Sequence, residues 1–221
     1  MPRTPVVIVC LSKTTPTDLL VTDATALLAA AASVSGASPA GHFAIRTRLR
    51  RGQLIQPWQR TAAGGPIRLL DLAEMRASAY DGFAHRWRIW NQVVAGTRPA
   101  QPQWHFWDRH RTNPKRYSRQ RAKQEYLAQP RVAAMRIYNA LPNRLLALPT
   151  SHLEALQTGA DGYANLGLLC AVPADGIVTA DGAYLCAPSD RLCDQLSYLG
   201  TAQELLGGLD AREQLVALAV N

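Results

Sequence analysis

Residues 103–123 interleave aromatic rings with basic side chains, a combination of residue types suited to nucleic acid. Nucleobases stack on aromatic faces, while Lys and Arg neutralise phosphates and release condensed counterions. The pattern predicts nucleic-acid binding by eight residues of this segment: Trp104, Trp107, Arg109, Arg111, Lys115, Arg116, Arg119 and Lys123. The alternative interpretation is a solvated basic face that covers an aromatic core.

The second half of this segment has helical spacing. An Asn-Pro pair at 113–114 is typical of a helix start, with Asn as the N-cap and Pro in the first turn. We therefore expect a helix over 115–128. Lys115, Arg119 and Lys123 are one helical turn apart, so they would form a basic stripe that could follow a groove or a phosphate backbone.

A second basic cluster lies earlier in the chain. Arg46, Arg48 and Arg50 occupy every second position, and Arg51 follows them. Residues two apart share one face of a strand, so the pattern predicts a strand over 42–49 with three arginines on one side. This face is a second candidate for nucleic-acid contact, and the alternative is an ordinary half-exposed strand.

The cysteines do not have the spacing of a zinc knuckle. Cys170, Cys186 and Cys193 are separated by fifteen and six residues, and the paired C-x2-C spacing is absent from the sequence. His152 or Cys10 could complete four ligands, but we favour small buried residues in a reducing compartment. No metal and no other cofactor is predicted.

Catalytic motifs are missing from the sequence. Neither G-x-S-x-G nor H-E-x-x-H occurs, and Lys13 lacks the glycines of a phosphate-binding loop. Three aspartates, at 161, 175 and 181, stand in Ala-Asp-Gly triplets that turn chemistry explains. No catalytic residue is predicted. An enzyme acting on nucleic acid, either a nuclease or a strand transferase that uses His105, His110 or a tyrosine such as Tyr117 or Tyr138, stays open as an alternative.

The charge of the chain is divided unevenly along its length. Residues 1–153 hold 22 of the 24 Lys and Arg and 7 of the 16 Asp and Glu, a balance of +15, whereas residues 154–221 have a balance of −7. An excess of this size repels itself unless an anionic partner lies against it. The division predicts a basic body at 1–153 and a small acidic part at 154–221. The acidic part would either neutralise the basic body or dock other protein subunits, and the split also leaves open a protein–protein adaptor.

Hydrophobic periodicity and turn residues define the expected elements. The predicted strands are 5–11 and 42–49, and the predicted helices are 23–34, 69–94, 115–128 and 130–141. A short capped helix is expected from Ser151, followed by an antiparallel meander of strands at 166–172, 177–179 and 183–186. From Ser189 to the end we expect helices, with capping boxes at Thr201 and Asp210.

These patterns together predict an α+β protein, mostly helical, with a small antiparallel sheet. The expected function is that of a non-catalytic subunit of a larger nucleoprotein assembly, which holds RNA or DNA through phosphate contacts and base stacking. The sequence has no run of 18 apolar residues and no signal-peptide pattern, so we expect a cytoplasmic protein with no membrane partner.

Overall fold

The computed structural model describes residues 4–34, 36–46 and 51–220, with the exception of the Arg51 side chain. About 50% of the chain is helical and 16% is strand. The residues group into two compact units. The sheet unit comprises Met1–Ser78, Leu168–Pro188 and Asp194–Asn221, and the helical unit comprises Ala79–Gly167 and Ser189–Cys193.

The strands, in chain order, are β1 (Val6–Leu11), β2 (Ala37–Pro39), β3 (Phe43–Ala44), β4 (Thr61–Ala62), β5 (Gly64–Pro66), β6 (Gly176–Val178), β7 (Tyr184–Cys186) and β8 (Gln214–Val220). The main sheet has the order β2-β8-β1-β6-β7, and β5 also pairs with β8. β3 and β4 form a separate pair. Since β1 and β6 run parallel and the other pairs antiparallel, the sheet is mixed, and the prediction of an antiparallel sheet is wrong.

The helices, in chain order, are α1 (Leu20–Ala32), α2 (Leu72–Val93), α3 (Gln103–Thr112), α4 (Arg119–Ala128), α5 (Pro130–Ala140), α6 (Leu153–Leu156), α7 (Ala160–Cys170) and α8 (Leu192–Gly207). Short 3-10 turns lie at Arg51–Gln53, Ile67–Leu69 and Thr150–His152. Among the described residues, none of these helices has both the length and the apolar composition needed to cross a bilayer.

The core of the sheet unit lies between β1, β8 and α1. Val7, Val9 and Leu11 alternate along β1 and pack with Leu20 and Leu28 of α1 in one buried cluster. The intervening Ile8 and Cys10 are also buried, so β1 is covered on both faces. A strand covered on both faces is a continuous apolar run rather than an alternating one, which is the pattern that residues 6–11 have.

The helical unit has its own core. It is built from large side chains of α2, α4, α5, α6 and α7 that are less than a tenth exposed: Trp90, Tyr126, Met135, Leu156 and Tyr163. The indole nitrogen of Trp87 donates to the Leu156 carbonyl over 3.0 Å, which ties α2 to α6. This core gives α3 and α4 a fixed base on which to present their outer side chains.

Several predicted elements are confirmed. β1 and α5 match the expected strand and helix to within one residue, and α2 continues through Gly82 without a break. Strands β6 and β7 form the expected hairpin. The helix predicted at 23–34 begins three residues earlier, at Leu20, and ends at Ala32.

Three predictions of secondary structure are wrong. Residues 166–170 belong to α7 rather than to a strand, and residues 214–220 form β8 rather than a helix. Asp210 and Glu213 do bond each other through the backbone nitrogen of Asp210, but they make a turn before β8. The expected helix over 115–128 starts only at Arg119.

Candidate nucleic-acid interface

Residues 103–128 form a helical hairpin, in which α3 and α4 are joined by a turn at 113–118. Ser118 is the N-cap of α4, and its hydroxyl accepts a hydrogen bond from the Arg121 backbone nitrogen over 3.2 Å. His110 donates from Nδ1 to the Tyr117 carbonyl over 2.8 Å, which fastens the turn to α3. Lys115 and Arg116 therefore lie in the turn, and the prediction of one helical stripe of cations is wrong.

Glu125 is the ionic centre of the hairpin. Its Oε2 accepts from the Tyr117 hydroxyl over 2.7 Å and from Arg109 over 3.1 Å, and its Oε1 accepts from Arg121 over 2.8 Å. The hydrogen bonds from Tyr117 and Arg121 hold the pKa of the Glu125 carboxyl below its ordinary value. One carboxylate thus connects α3, the turn and α4.

Asp108 and Glu154 make a second set of contacts at α3. Asp108 accepts from Arg111 over 3.2 Å through Oδ1 and from Arg191 through Oδ2. Glu154 accepts from the Trp104 indole nitrogen over 2.9 Å and from the Leu192 backbone nitrogen over 3.1 Å. These contacts fasten the 189–193 segment to α3 within the helical unit.

The two rings that we predicted as stacking surfaces, Trp104 and Trp107, each have an arginine over one face, and so does the ring of Tyr117. The distances from the arginine Cζ to the ring centroid are 4.8 Å for Arg191 over Trp104, 5.4 Å for Arg119 over Trp107 and 4.3 Å for Arg109 over Tyr117. Such cation–π contacts hold a flexible guanidinium in place. The planar groups offered to the outside on these faces are therefore guanidinium groups rather than bare rings.

Four basic side chains of the hairpin form no ion pair with any residue that the structure describes. Among the residues that the structure describes, no carboxylate oxygen lies within 4 Å of a nitrogen of the following four, all of them exposed: Lys115, Arg116, Arg119 and Lys123. The hairpin has two acidic residues, Asp108 and Glu125, and both already bind the other arginines. The turn and the exposed side of α4 therefore carry uncompensated positive charge.

The net charge of the chain lies in the helical unit. By composition this unit holds 14 of the 24 Lys and Arg and 6 of the 16 Asp and Glu, a balance of +8. The sheet unit holds 10 of each and is neutral. Most of the acidic residues of 154–221 belong to the sheet unit, together with the arginines at 46–51. The division into a basic body at 1–153 and an acidic part at 154–221 stays a prediction, and each compact unit contains residues from both of these ranges.

A cavity of about 450 Å³ opens beside α3 and the following turn. It is lined by aromatic, charged and amide-bearing side chains: Trp104, His105, Asp108, Arg109, Thr112, Asn113 and Tyr117. Its volume lies in the range of small-molecule pockets, roughly 300–1,000 Å³. Four residues predicted for binding or for the enzyme alternative thus meet at one site: Trp104, His105, Arg109 and Tyr117.

The second predicted cluster is described only at its two ends. Arg46 is exposed and lies two residues after the end of β3. Phe43 in β3 and Ile45, the first residue after it, are both buried. This alternation agrees with the expected strand pattern at its start. Arg48 and Arg50 lie outside the described residues, and Arg51 begins a 3-10 turn.

The cysteines occupy different environments. Cys10 is buried in β1, Cys170 is half-buried, and Cys186 and Cys193 are exposed. Within the part of the chain that the structure describes, no group of three or more His, Cys, Asp and Glu side chains is placed to hold a metal ion. Two other candidates for chemistry are not among the residues that line the cavity. Tyr138 lies on α5, and His110 donates a hydrogen bond to the turn after α3.

Sequence reasoning missed residues that hold the helical hairpin and the 189–193 segment in place. Arg121 and Glu125 are four apart on a helix, and this spacing could have indicated their ion pair. Arg191 could not have been found in this way, because 83 residues separate it from Asp108.

Comparison with known proteins identifies no relative, since no protein-family model, no curated protein and no solved structure matches the chain.

Proposed function

We propose that this protein binds nucleic acid through the helical hairpin of residues 103–128. The observation that carries the proposal is the exposed, uncompensated charge of Lys115, Arg116, Arg119 and Lys123 on a unit with a balance of +8. A cluster of this kind gains free energy when it displaces counterions from a polyanion.

The arrangement of the hairpin supports a preorganised surface. Arg109, Arg119 and Arg121 each lie over an aromatic ring, and Arg109 and Arg121 also bind Glu125. Side chains that are already held in place lose less conformational freedom when they bind. Guanidinium groups also contact phosphates in a bidentate manner and stack on bases, which a lysine ammonium cannot do.

The test is a binding titration with variants that differ in where charge is removed. Lys115, Arg116 and Lys123 are exposed and have no side-chain bond or ion pair within the described residues, so their joint replacement by Ala should leave the fold intact. The matched control replaces Lys13, Arg60 and Arg212, which are exposed residues of the sheet unit. Both variants lose three charges, but only the first loses them from the hairpin.

Fluorescent 20-nucleotide probes of single-stranded RNA, single-stranded DNA and duplex DNA, titrated over a range of salt concentrations, give the readout. We expect the hairpin variant to bind more weakly, with a slope of log affinity against log salt reduced by about two to three, because each phosphate contact contributes roughly 0.7–0.9 to it. The control should keep the parental slope. Equal binding by both variants and the parent would overturn the proposal, and so would the absence of binding to every probe at low salt.

The proposal includes a role as a subunit of a larger nucleoprotein assembly. The charge of the helical unit supports this role, since a folded protein with a large basic excess is stabilised by an anionic partner. Affinity capture from cell extract on the tagged chain, together with light scattering of the purified chain with and without the best-bound probe, tests this role. A complex of one chain and one probe, with no additional component recovered from cell extract, would limit the proposal to nucleic-acid binding alone.

A further inference from the structure

The cavity beside α3 has the features of a site for one flat heterocycle. The residues that line it include Arg109 and Trp104, whose side chains end in planar groups, and Asp108 and Asn113, whose side chains carry a carboxylate and an amide. An amide both donates and accepts hydrogen bonds, and a carboxylate accepts them. This set of groups is complementary to the hydrogen-bonding edge of a nucleobase.

Arg109 is held as a stacking platform. Its Cζ lies 4.3 Å from the centroid of Tyr117, and its Nη1 lies 3.1 Å from a Glu125 oxygen. The Arg109 side chain nevertheless remains 50% exposed, and it lines the cavity. Since the ring of Tyr117 covers one side of the guanidinium, the free side can receive a second planar group. Unstacked bases of single-stranded nucleic acid bind to Arg guanidinium planes in this manner.

The surroundings of the cavity favour a base inside and phosphates outside. Asp108, which lines the cavity, already binds Arg111 and Arg191, and the acceptor positions that its carboxylate has left suit the N–H groups of a base edge. The exposed cations Lys115 and Arg116 lie in the turn between Asn113 and Tyr117, two residues that both line the cavity. A strand whose base occupied the cavity would thus have basic side chains beside its backbone.

We infer that this cavity accepts one unstacked nucleobase of a single-stranded nucleic acid, which stacks on the Arg109 guanidinium and turns its hydrogen-bonding edge toward Asp108 and Asn113. The inference rests on the proposed function and specifies the ligand of the same hairpin. It separates base recognition at the cavity from phosphate binding by Lys115, Arg116, Arg119 and Lys123.

The experiment compares two single strands of ten nucleotides that carry the same phosphates. One contains all four bases, and the other is abasic throughout. The parent protein should bind the base-bearing strand roughly 5- to 150-fold more tightly, which is the effect expected for one stacked base. Arg109→Lys keeps the charge and the means to bind Glu125 but removes the planar surface. The affinity for the base-bearing strand should then exceed the affinity for the abasic strand by no more than about threefold. Arg136→Lys, at an exposed position of α5 outside the cavity lining, should leave the ratio unchanged.

The possible failures are distinguishable. Equal binding of both strands by the parent would overturn the base site while the phosphate-binding proposal stands, and a preference that survives Arg109→Lys would place the base elsewhere and overturn the cavity assignment. If neither strand binds at low salt, both proposals fall. If a free nucleoside monophosphate binds as tightly as the base-bearing strand, the ligand of the cavity is a free nucleotide. That result would overturn the inference that the cavity accepts a base of a single strand.

Discussion

The hydroxyl of Tyr117 donates a hydrogen bond to the carboxylate of Glu125 over 2.7 Å, and this bond joins the turn of the helical hairpin to α4. The tyrosine is buried, with 6% of its surface exposed, whereas Glu125 is half-buried between two arginines. Burial, followed by the hydrogen bond to Glu125, raises the pKa of Tyr117. The pair therefore stays in its bonded form, with the tyrosine protonated and the glutamate ionised, through the neutral pH range.

Replacement of Glu125 by Gln should lower the thermal stability of the protein at pH 7, because Arg109 and Arg121 lose their carboxylate partner. The pKa of Glu125 is lower in the folded than in the unfolded protein, so its contribution is present above the unfolded value of about 4.3 and is lost as the pH falls through the folded value. The difference in melting temperature between parent and variant should therefore shrink as the pH falls from about 5 to 3. Melting curves followed by circular dichroism measure it.

The control for this experiment is Glu204→Gln, at an exposed position of α8 that forms no ion pair within the described residues. Its melting temperature should follow the parent across the same pH range. A deficit of Glu125→Gln that stays constant from pH 7 to pH 3 would contradict the role that we assign to the carboxylate.

The glycines at 64 and 82 should respond to alanine in opposite directions. A methyl group at Gly64 would overlap the carbonyl oxygen of Leu215, because β5 lies directly against β8 at this point. Gly82 lies in the exposed middle of α2 with open space around it. Gly64→Ala should destabilise the protein by roughly 1–3 kcal/mol through overpacking, whereas Gly82→Ala should stabilise it by about 0.5–1 kcal/mol. Denaturant unfolding of the two variants beside the parent measures both effects, and a stabilised Gly64→Ala would show that the strands can separate.

Local patterns predicted the elements whose residues agree with their surroundings. The β-branched run at 6–11 predicted a buried strand, and Pro130 at the first position of α5 marked a helix start. At the start of the strand predicted over 42–49, Phe43 and Ile45 are buried and Arg46 is exposed, which agrees with the predicted alternation. In each of these cases, local propensity and tertiary packing favour the same structure.

The elements that sequence reasoning missed are those that distant contacts decide. β8 is rich in Ala and Leu, which favour helices, but it pairs with β1 across more than 200 residues of sequence and also with β2 and β5. Sheet pairing of this kind depends on the context and overrides intrinsic preference. The same limit applies to the candidate site, since its basic and aromatic residues were predicted but the contacts that Arg191 brings to α3 were not.

The side chain of Asn139 should be required for the stability of the segment that follows α5. Its amide nitrogen donates to the Leu148 carbonyl over 2.7 Å, and its oxygen accepts from the Leu148 backbone nitrogen over 2.8 Å. Leu148 is fully buried, so the loss of these bonds would leave backbone groups unsatisfied in the interior. Asn139→Ala should cost about 1–3 kcal/mol in unfolding free energy, whereas Asn143→Ala, at an exposed position, should cost less than about 0.5 kcal/mol. Equal denaturation midpoints for the two variants would show that water replaces the amide.

The cysteines should differ sharply in their reactivity. Cys10 lies in β1, where it pairs with Leu215 of β8, and burial raises the pKa of its thiol to about 12. The thiolate is the reactive form, so in the native protein at pH 8 Cys10 is both protonated and out of reach of a reagent. Cys186 and Cys193 are exposed and should be alkylated within minutes by iodoacetamide, whereas Cys10 should be alkylated only as fast as the protein unfolds. Peptide mapping by mass spectrometry after timed labelling measures each site, and labelling in concentrated urea provides the control in which all the cysteines react. Alkylation of Cys10 at the rate of Cys186 in native buffer would mean that β1 separates from β8 far more readily than its fully paired register indicates.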